Sequence, residues 1–444
     1  MKKKVLILLS NIIGLHYQGI YQGLTRIRSD QELEDLRENY LRSLLLHAYH
    51  NVFYYKIIFD KIELVKNGEV DLSKFNEIPI LTKEIIRNQR KELVANDYHN
   101  RRWYYNSSGG STGEPVRFIQ DDRYAKWGRA TATYWYKNIL GIDELGMKKI
   151  FLWGSERDLF GTGVGWRVKI NNWLNNTIIL NSFKMSPEDM KRHIKTINSY
   201  KPALLRGYAS SLHELCRYAS GEGIKLHSPK AIISSADTLT YEMRENIERS
   251  FGSRVFDFYG SRESNNLAGE CKEGLMHILA FHNHVEVLDK GDRSVNKGEE
   301  GRVIVTNLHN YSMPLIRYDV GDTAILGPRK CKCGNVLPTL YKITGRSRDH
   351  FISKNGTIVS PHILSTLFFR RDWVKGFQVI QEEYDRVRIM VVLERTISQL
   401  EKEEIEEKLA FILGQDCKII WEFVDSIPKT PQGKYRYIIS RVPR

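Results

Sequence analysis

The sequence predicts an α/β fold: a large N-terminal domain of β-sheets and packed helices, followed by a small α+β C-terminal domain. Three observations carry this. Between residues 203 and 259, short apolar runs alternate with helical segments, the pattern of strands joined by crossover helices. From about residue 300 the chain turns β-rich. After Gly345 a strand–helix–strand unit of about a hundred residues begins, an ordinary domain size. The expected domains are 1–344 and 345–444.

Along the chain, residues 32–50 place Leu33, Leu36, Tyr40, Leu41, Leu44, Leu45 and Ala48 at helical spacing, an amphipathic helix whose role is packing. Arg101-Arg-Trp-Tyr-Tyr105 and Val116-Arg-Phe-Ile119 read as two strands around a loop. Residues 186–200 form a helix with Ser186 as N-cap, Pro187 at the first position, and Glu188 and Asp189 in the first turn. Met190, Ile194 and Ile197 give its buried face. A strand over 203–207, a helix over 212–219 after Ser210 and Ser211, a strand over 231–235, a Thr240-capped helix to Phe251 and a strand over 254–259 follow. This alternation predicts a mostly parallel sheet, in which ligands bind at the C-terminal ends of strands. In the C-terminal domain, residues 386–393 read as a strand, 397–413 as a charged amphipathic helix and 418–424 as a second strand. The chain shows no internal repeat and no low-complexity segment.

With 444 residues, 41% hydrophobic and 27% charged, the chain is an ordinary globular protein with ample core. The net charge of +14 suits an anionic partner. The basic residues are scattered, without an Arg- or Lys-rich tail, which argues against nucleic acid. Five cysteines, an odd number in a long chain, do not make a disulfide framework, so a reducing cytoplasm is expected. The apolar run after Lys2–Lys4 is too short to span a bilayer and no small-residue cleavage site follows it. A peripheral membrane contact there is the most it supports.

The stretch Asn106-Ser-Ser-Gly-Gly-Ser-Thr-Gly-Glu-Pro115 is the most informative motif. Glycines let backbone N–H groups approach an anion, and hydroxyls add donors, the chemistry of a triphosphate cradle. It is not a Walker A loop, because no Lys-Ser/Thr pair follows and Glu114 stands where a cation would be wanted. A bare hairpin tip is the plainer reading. Four further stretches accompany it. Tyr259-Gly-Ser-Arg-Glu263 ends a strand with an aromatic ring that can stack on a base and a carboxylate that can hold Mg²⁺. Arg317-Tyr-Asp-Val-Gly-Asp322 puts a carboxylate after a glycine turn, able to accept ribose hydroxyls. Gly345-Arg-Ser-Arg-Asp349 opens a segment that reaches Asn355-Gly356. Pro428-Lys-Thr-Pro-Gln-Gly-Lys434 places a lysine on a glycine turn. Singly, each carboxylate or lysine is more often a solvated loop residue. Their order and spacing carry the specificity.

Together these five stretches resemble the core motifs of the adenylate-forming (acyl-AMP-forming) ligase superfamily, over residues 105–436. The nearest branch is that of the phenylacetate–coenzyme A ligases and their relatives of capsular polysaccharide biosynthesis. It is marked by Tyr259 to Glu263 followed by Glu270-Cys271, by Gly274-Leu-Met-His277, and by Cys331-Lys-Cys-Gly334 ahead of Gly345-Arg346. The resemblance implies a large adenylate-forming domain and a small mobile one carrying a catalytic lysine. It implies activation of a carboxylic acid, aryl or otherwise small, by MgATP as acyl-AMP, then transfer to coenzyme A. Ser107, Ser108, Gly109, Gly110, Ser111, Thr112 and Gly113 would hold phosphates. Tyr259, Gly260 and Ser261 would line the adenine and substrate cleft. Glu263 would bind Mg²⁺, Asp322 with Arg346 would bind ribose, Lys434 would act in adenylation, and Gly356 would leave room for coenzyme A. Arg348 stands at the hinge position, where Asp or Lys is usual.

Cys271, His277, Cys331 and Cys333 can form a Cys₃His zinc site, with His282 and His284 as rival nitrogen ligands. The alternative is three buried or idle thiols. Cys216 and Cys417 read as core residues. Trp127, Tyr134 and Trp135 read either as acyl-pocket lining or as core aromatics. Two other functions remain beside the coenzyme A ligase. One is adenylation with transfer to a carrier protein, an amine or a sugar. The other is a non-catalytic scaffold, against which the retention of Glu263, Asp322, Arg346 and Lys434 argues. A homodimer is expected from the resemblance alone.

Overall fold

A computed structural model describes residues 17–107, 116–153, 170, 172–182, 187–346, 351–354, 358–359, 364, 367–368, 371–428 and 436–442. The chain falls into two compact units. The first comprises Met1–Lys149, Arg167–Ile178 and Phe256–Ile343; the second comprises Ile150–Trp166, Ile179–Val255 and Thr344–Arg444.

In the first unit, helix Asp30–Asn51 starts at a capping box. The Ser29 side chain accepts from the Glu32 N–H, and the Glu32 side chain returns to the Ser29 N–H. It buries Leu33, Leu41, Leu44, Leu45 and Ala48, the face the periodicity predicted. Strands Trp103–Ser107 and Arg117–Asp121 pair antiparallel, so the Ser/Gly-rich stretch joins the two strands of a hairpin. The Asp121 side chain then caps helix Asp122–Tyr134 by accepting from the Tyr124 N–H. The main sheet of this unit runs, in spatial order, through Asn283–Leu288, Glu300–Asn307, Tyr318–Leu326, Thr339–Arg346, Met276–Ile278, Asn265–Glu270 and Val255–Ser261.

The mostly parallel sheet expected from the sequence is corrected here. Val255–Ser261 pairs antiparallel with Asn265–Glu270, Asn265–Glu270 with Met276–Ile278, and Glu300–Asn307 with both of its neighbours. For the first two pairs, connections of three and five residues decide this, because they can join only antiparallel strands. In the second unit Leu204–Tyr208 and Ala231–Ser235 do pair parallel, with helix Ala209–Gly221 as the crossover. Ser210 and Ser211 lie inside that helix rather than before it. Helix Tyr241–Phe251 is capped by Thr240, as expected. Helix Pro187–Tyr200 is present, with its expected cap Ser186 outside the described residues.

The C-terminal residues build a four-stranded sheet in the order Lys418–Phe423, Arg386–Leu393, Val374–Glu383, Ile438–Ser440. Helix Gln399–Leu413, opened by a Ser398–Glu401 capping box, packs Ile405, Leu409 and Leu413 into a core with Trp373, Phe377, Val379 and Ile389. The segment Lys2–Lys4 lies outside the described residues. Among those described, no helix is long and apolar enough to cross a membrane.

Candidate active site and a cysteine–histidine cluster

Glu263 sits at the tip of the hairpin between Val255–Ser261 and Asn265–Glu270. The tip is closed by the Ser264 N–H donating to the Ser261 hydroxyl at 2.9 Å. Asn265 takes a left-handed conformation (φ 54°), and the ladder is bulged between Asn266 and Ala268. A bulge of this kind re-aims side chains at a strand end. Gly260 is required for the same geometry, since a Cβ there would collide with the Asn265 carbonyl oxygen.

Glu263 is buried, 5% exposed. The Tyr318 hydroxyl donates to its Oε1 at 3.2 Å, and Lys83 Nζ lies 3.9 Å from the same oxygen. Burial, with the Glu263 carboxylate next to it, pushes the Tyr318 hydroxyl well above its ordinary value, so it stays a donor. Among the described residues no hydrogen bond reaches Glu263 Oε2. A buried carboxylate with one oxygen committed and one spare fits a hard divalent cation such as Mg²⁺.

The backbone of the tip is pinned to the hairpin that carries the Ser/Gly-rich stretch. The Asn106 amide donates to Gln120 Oε1 at 2.9 Å, and the Gln120 amide donates to the carbonyls of Arg262 and Glu263 at 3.0 and 3.3 Å. Arg262 reaches the Ser107 carbonyl at 3.4 Å, and Asn307 donates to the Glu263 carbonyl at 2.9 Å. Ser107 is thus within one side chain of Glu263, while Ser108, Gly109, Gly110, Ser111, Thr112 and Gly113 lie outside the described residues. The Tyr259 hydroxyl donates to Asp322 Oδ2 at 2.7 Å, bringing together two of the predicted nucleotide-binding residues. Arg346 ends strand Thr339–Arg346; its side chain, Gly356 and Lys434 lie outside the described residues.

Two features escaped the sequence reading. Lys83 is one; as the first residue of helix Lys83–Asn88 it runs against the preference for acidic groups at a helix start, the only local signal it gave. The other lies in the second unit, at the C-terminal ends of its parallel strands. There the Asp237 carboxylate accepts from the Ser210 N–H at 3.2 Å and from the Ser210 hydroxyl, and Arg206 reaches the Ser235 hydroxyl at 3.2 Å. Between them Ala236 is held at φ 70°, a costly conformation for a residue with a Cβ.

The thiols of Cys271, Cys331 and Cys333 and the His277 ring fall within 4.8 Å of one another. Cys271 and Cys331 open similar turns. The Gly274 N–H closes on the Cys271 carbonyl at 3.0 Å and the Gly334 N–H on the Cys331 carbonyl at 3.1 Å, with both glycines at positive φ. The two sulfurs are 3.7 Å apart, against about 3.8 Å for the edge of a tetrahedron with 2.3 Å zinc–sulfur bonds. His277 Nδ1 faces the Leu337 carbonyl at 3.0 Å, which leaves Nε2, 3.1 Å from Cys333 Sγ, as the ligand atom. These residues fit one Zn²⁺. The rival histidines are elsewhere: His282 stacks on Tyr124, and His284 meets Phe75 edge-on. Trp127, Tyr134 and Trp135 are core aromatics, respectively stacked on His309, bonded by Asn335 and donating to the Glu270 carbonyl. Cys216 is fully buried, and Cys417 packs half-buried against the C-terminal core.

Residues 351–441 match the family model of the CapK C-terminal domain. Protein CapK of Staphylococcus aureus is 27% identical, over 96% of this chain and 93% of that protein. A phenylacetate–coenzyme A ligase of Thermus thermophilus is 23% identical, over 89% of this chain and 87% of that protein. Among solved structures, 2-hydroxyisobutyryl-CoA ligase in complex with 2-HIB-AMP superposes with a TM-score of 0.69 at 18% identity, over 92% of this chain and 88% of that one. The chain is therefore a relative of CapK and the phenylacetate–coenzyme A ligases, built on the fold of the adenylate-forming ligases.

Proposed function

We propose that this protein is an AMP-forming acid–thiol ligase. It activates a small carboxylic acid with MgATP and passes the acyl group to coenzyme A. The observation that carries the reading is the pairing, in one unit, of a buried carboxylate with a spare oxygen at Glu263 and the Tyr259–Asp322 hydrogen bond at 2.7 Å. The kinship with phenylacetate–coenzyme A ligases supports the reaction type.

In the first half-reaction a substrate carboxylate oxygen attacks the α-phosphorus and pyrophosphate leaves. In the second, the coenzyme A thiolate attacks the acyl carbon and AMP leaves. Negative charge accumulates at phosphorus in the first step, so cationic groups aimed there lower its barrier. Lys434 and the N–H groups of Ser108 to Gly113 are the proposed donors, while Arg346 would help Asp322 at the ribose. Glu263 would hold Mg²⁺, which when bound neutralises triphosphate charge. Asp322 would take the ribose hydroxyls, oriented by Tyr259. Gly356 would admit the thiol-bearing arm. Lys434 and Gly356 belong to the proposed C-terminal domain, 345–444, supported by the family match over 351–441 and by its own hydrophobic core. The Cys271, His277, Cys331 and Cys333 cluster is proposed as a structural Zn²⁺ site. A cytoplasmic location and a homodimer accompany this reading, on resemblance alone.

A second reading keeps the adenylation and gives the acyl group to a carrier protein, an amine or a sugar. The match to CapK over nearly the whole chain favours keeping it.

The test is pyrophosphate release from MgATP across aryl, fatty and sugar-derived acids, with and without coenzyme A. A Lys434→Ala variant is run alongside. Carboxylate-dependent release that falls about 100-fold in the variant supports the reading. Stimulation by coenzyme A selects the ligase over the second reading. Absence of ATP binding would overturn both.

A further inference from the structure

We propose that Gln120, Asn283 and Asn307 are positioning residues for the metal-binding carboxylate. Their side-chain amides clamp the backbone on which Glu263 stands, so that its carboxylate meets Mg²⁺ already in place. This rests on the role proposed for Glu263 above.

The clamp answers a need of the backbone. Arg262, Glu263 and Ser264 form the turn between Val255–Ser261 and Asn265–Glu270, beyond the last paired residues of the ladder, Ser261 and Asn265. Their carbonyls have no place in the ladder, and a buried carbonyl needs a donor from somewhere. Side-chain amides supply it. Gln120, on strand Arg117–Asp121, donates to the carbonyls of Arg262 and Glu263 at 3.0 and 3.3 Å. Asn307 Nδ2 donates to the Glu263 carbonyl at 2.9 Å. Asn283 Nδ2 donates to the carbonyls of Ser264 and Asn266 at 2.9 and 3.0 Å. Asn283 and Asn307 face each other directly across strands Asn283–Leu288 and Glu300–Asn307, so their two grips on the tip start side by side. The next strand of the same sheet, Tyr318–Leu326, adds the Tyr318 hydroxyl to the carboxylate itself. One stretch of sheet thus fixes both the backbone and the side chain of Glu263.

Two observations separate this from ordinary packing. Asn283 and Asn307 are fully buried, and the Oδ1 of each has no partner among the described residues. An unpaired buried oxygen is a cost that an apolar side chain of the same shape would avoid, so what these residues bring is their N–H donors. The Gln120 amide, in turn, has one way round. The Asn106 amide donates to its Oε1 at 2.9 Å, and Asn106 Oδ1 accepts from the Ser107 N–H at 2.9 Å. Because the amides are neutral, they hold the tip without cancelling the carboxylate charge that a divalent cation needs. Groups that orient a metal ligand in this way commonly govern metal affinity by about 10- to 100-fold.

The experiment compares wild type with Asn307→Leu, a change close in shape that removes the donor. ATP binding is measured by calorimetry in Mg²⁺ and in EDTA, and pyrophosphate release is titrated with Mg²⁺. In Asn307→Leu the gain in ATP affinity on adding Mg²⁺ is expected to shrink about tenfold, with binding in EDTA within about threefold of wild type. The Mg²⁺ concentration for half-maximal release should rise about tenfold, and saturating Mg²⁺ should restore most of the rate. Placed on Glu263→Gln, the same substitution should leave the Mg²⁺ gain where it was, because the carboxylate it positions is already gone. An unchanged Mg²⁺ gain in Asn307→Leu would overturn the proposal. So would an equal loss in Mg²⁺ and in EDTA, or a rate that saturating Mg²⁺ does not restore, the marks of a merely structural role. If Asn307→Leu does not fold, Gln120→Met carries the test with the same expectations and the same overturning outcomes, since its amide holds the same carbonyl from a different strand. Wild type that binds ATP no better in Mg²⁺ than in EDTA overturns the role of Glu263 and the clamp together. Wild type that gains from Mg²⁺ but releases pyrophosphate with no acid counts against the proposed reaction, while the binding comparison still decides the clamp.

Discussion

Arg317 and Asp322 share one motif, yet the structure gives them different work. The Arg317 guanidinium, 2% exposed, grips Glu286 with two hydrogen bonds at 3.1 and 3.2 Å and donates to the carbonyls of Asn76 and Ile78. With every donor group engaged, it fastens the strand that presents Asp322. A sequence motif cannot separate the clamp from the binding residue, because the split depends on a left-handed turn at Arg317 (φ 48°). His282 makes a second residue-scale point. Its ring is fully buried, stacked 4.4 Å from Tyr124, and neither ring nitrogen has a partner among the described residues. Burial lowers its pKa to about 3, against an ordinary 6.5. The unfolded chain therefore binds the extra proton between those values. Stability from this residue is complete above about pH 6.5 and is lost as pH falls towards 3, at about 1.4 kcal/mol per pH unit. Urea unfolding at pH 7, 6, 5 and 4 should show that dependence reduced by about this amount in His282→Phe. Parallel pH dependences in the two proteins would mean that the ring is charged, or hydrated, in the fold.

At the scale of elements, legibility followed locality. The helix over Asp30–Asn51, the helix capped by Thr240 and the two strands flanking the Ser/Gly-rich stretch were all readable, because periodicity, caps and turns act within a few residues. The strand directions around Glu263 were not. Hairpins of three to five residues replaced crossovers there, and the β-rich region starts at Val255 rather than near residue 300. Lys83 was invisible for a different reason: its partner lies 180 positions away, and only the Leu81–Tyr318 bridge brings them together. The cysteine cluster sits between these cases. Its four residue types were legible, but the choice of His277 over His282 and His284 came from strand Met276–Ile278 pairing with Thr339–Arg346. If the two glycine-closed turns hold Zn²⁺, purified protein should contain about one zinc per chain by elemental analysis. Cys331→Ser should lose it and melt roughly 5 °C lower, since binding energy for the folded state becomes folding energy. Metal-free protein with a melting temperature unmoved by Cys331→Ser would leave the cluster as packed thiols.

On the scale of the whole molecule, the proposed reaction asks one chain for two incompatible environments. Adenylation needs a cation at a phosphorus centre gaining negative charge, whereas thioester formation needs a channel for a long thiol and no lysine blocking it. The resemblance to adenylate-forming ligases implies that the small domain meets both needs in turn, offering Lys434 first and the surface around Gly356 second. Such a division predicts a reciprocal pattern. Lys434→Ala should lower carboxylate-dependent pyrophosphate release about 100-fold while leaving thioester formation from supplied acyl-AMP within about threefold. Gly356→Val should do the reverse, because two added methyls would narrow the path of the thiol arm without touching the phosphates. Rapid-quench measurement of each half-reaction, run separately on both variants, reads the pattern directly. If each variant damages both half-reactions alike, the small domain works from one position, and Arg348 at the hinge position marks a chain that has given up the rotation. If Gly356→Val leaves thioester formation intact while Lys434→Ala still stops adenylation, the acceptor reaches the acyl-AMP by another route.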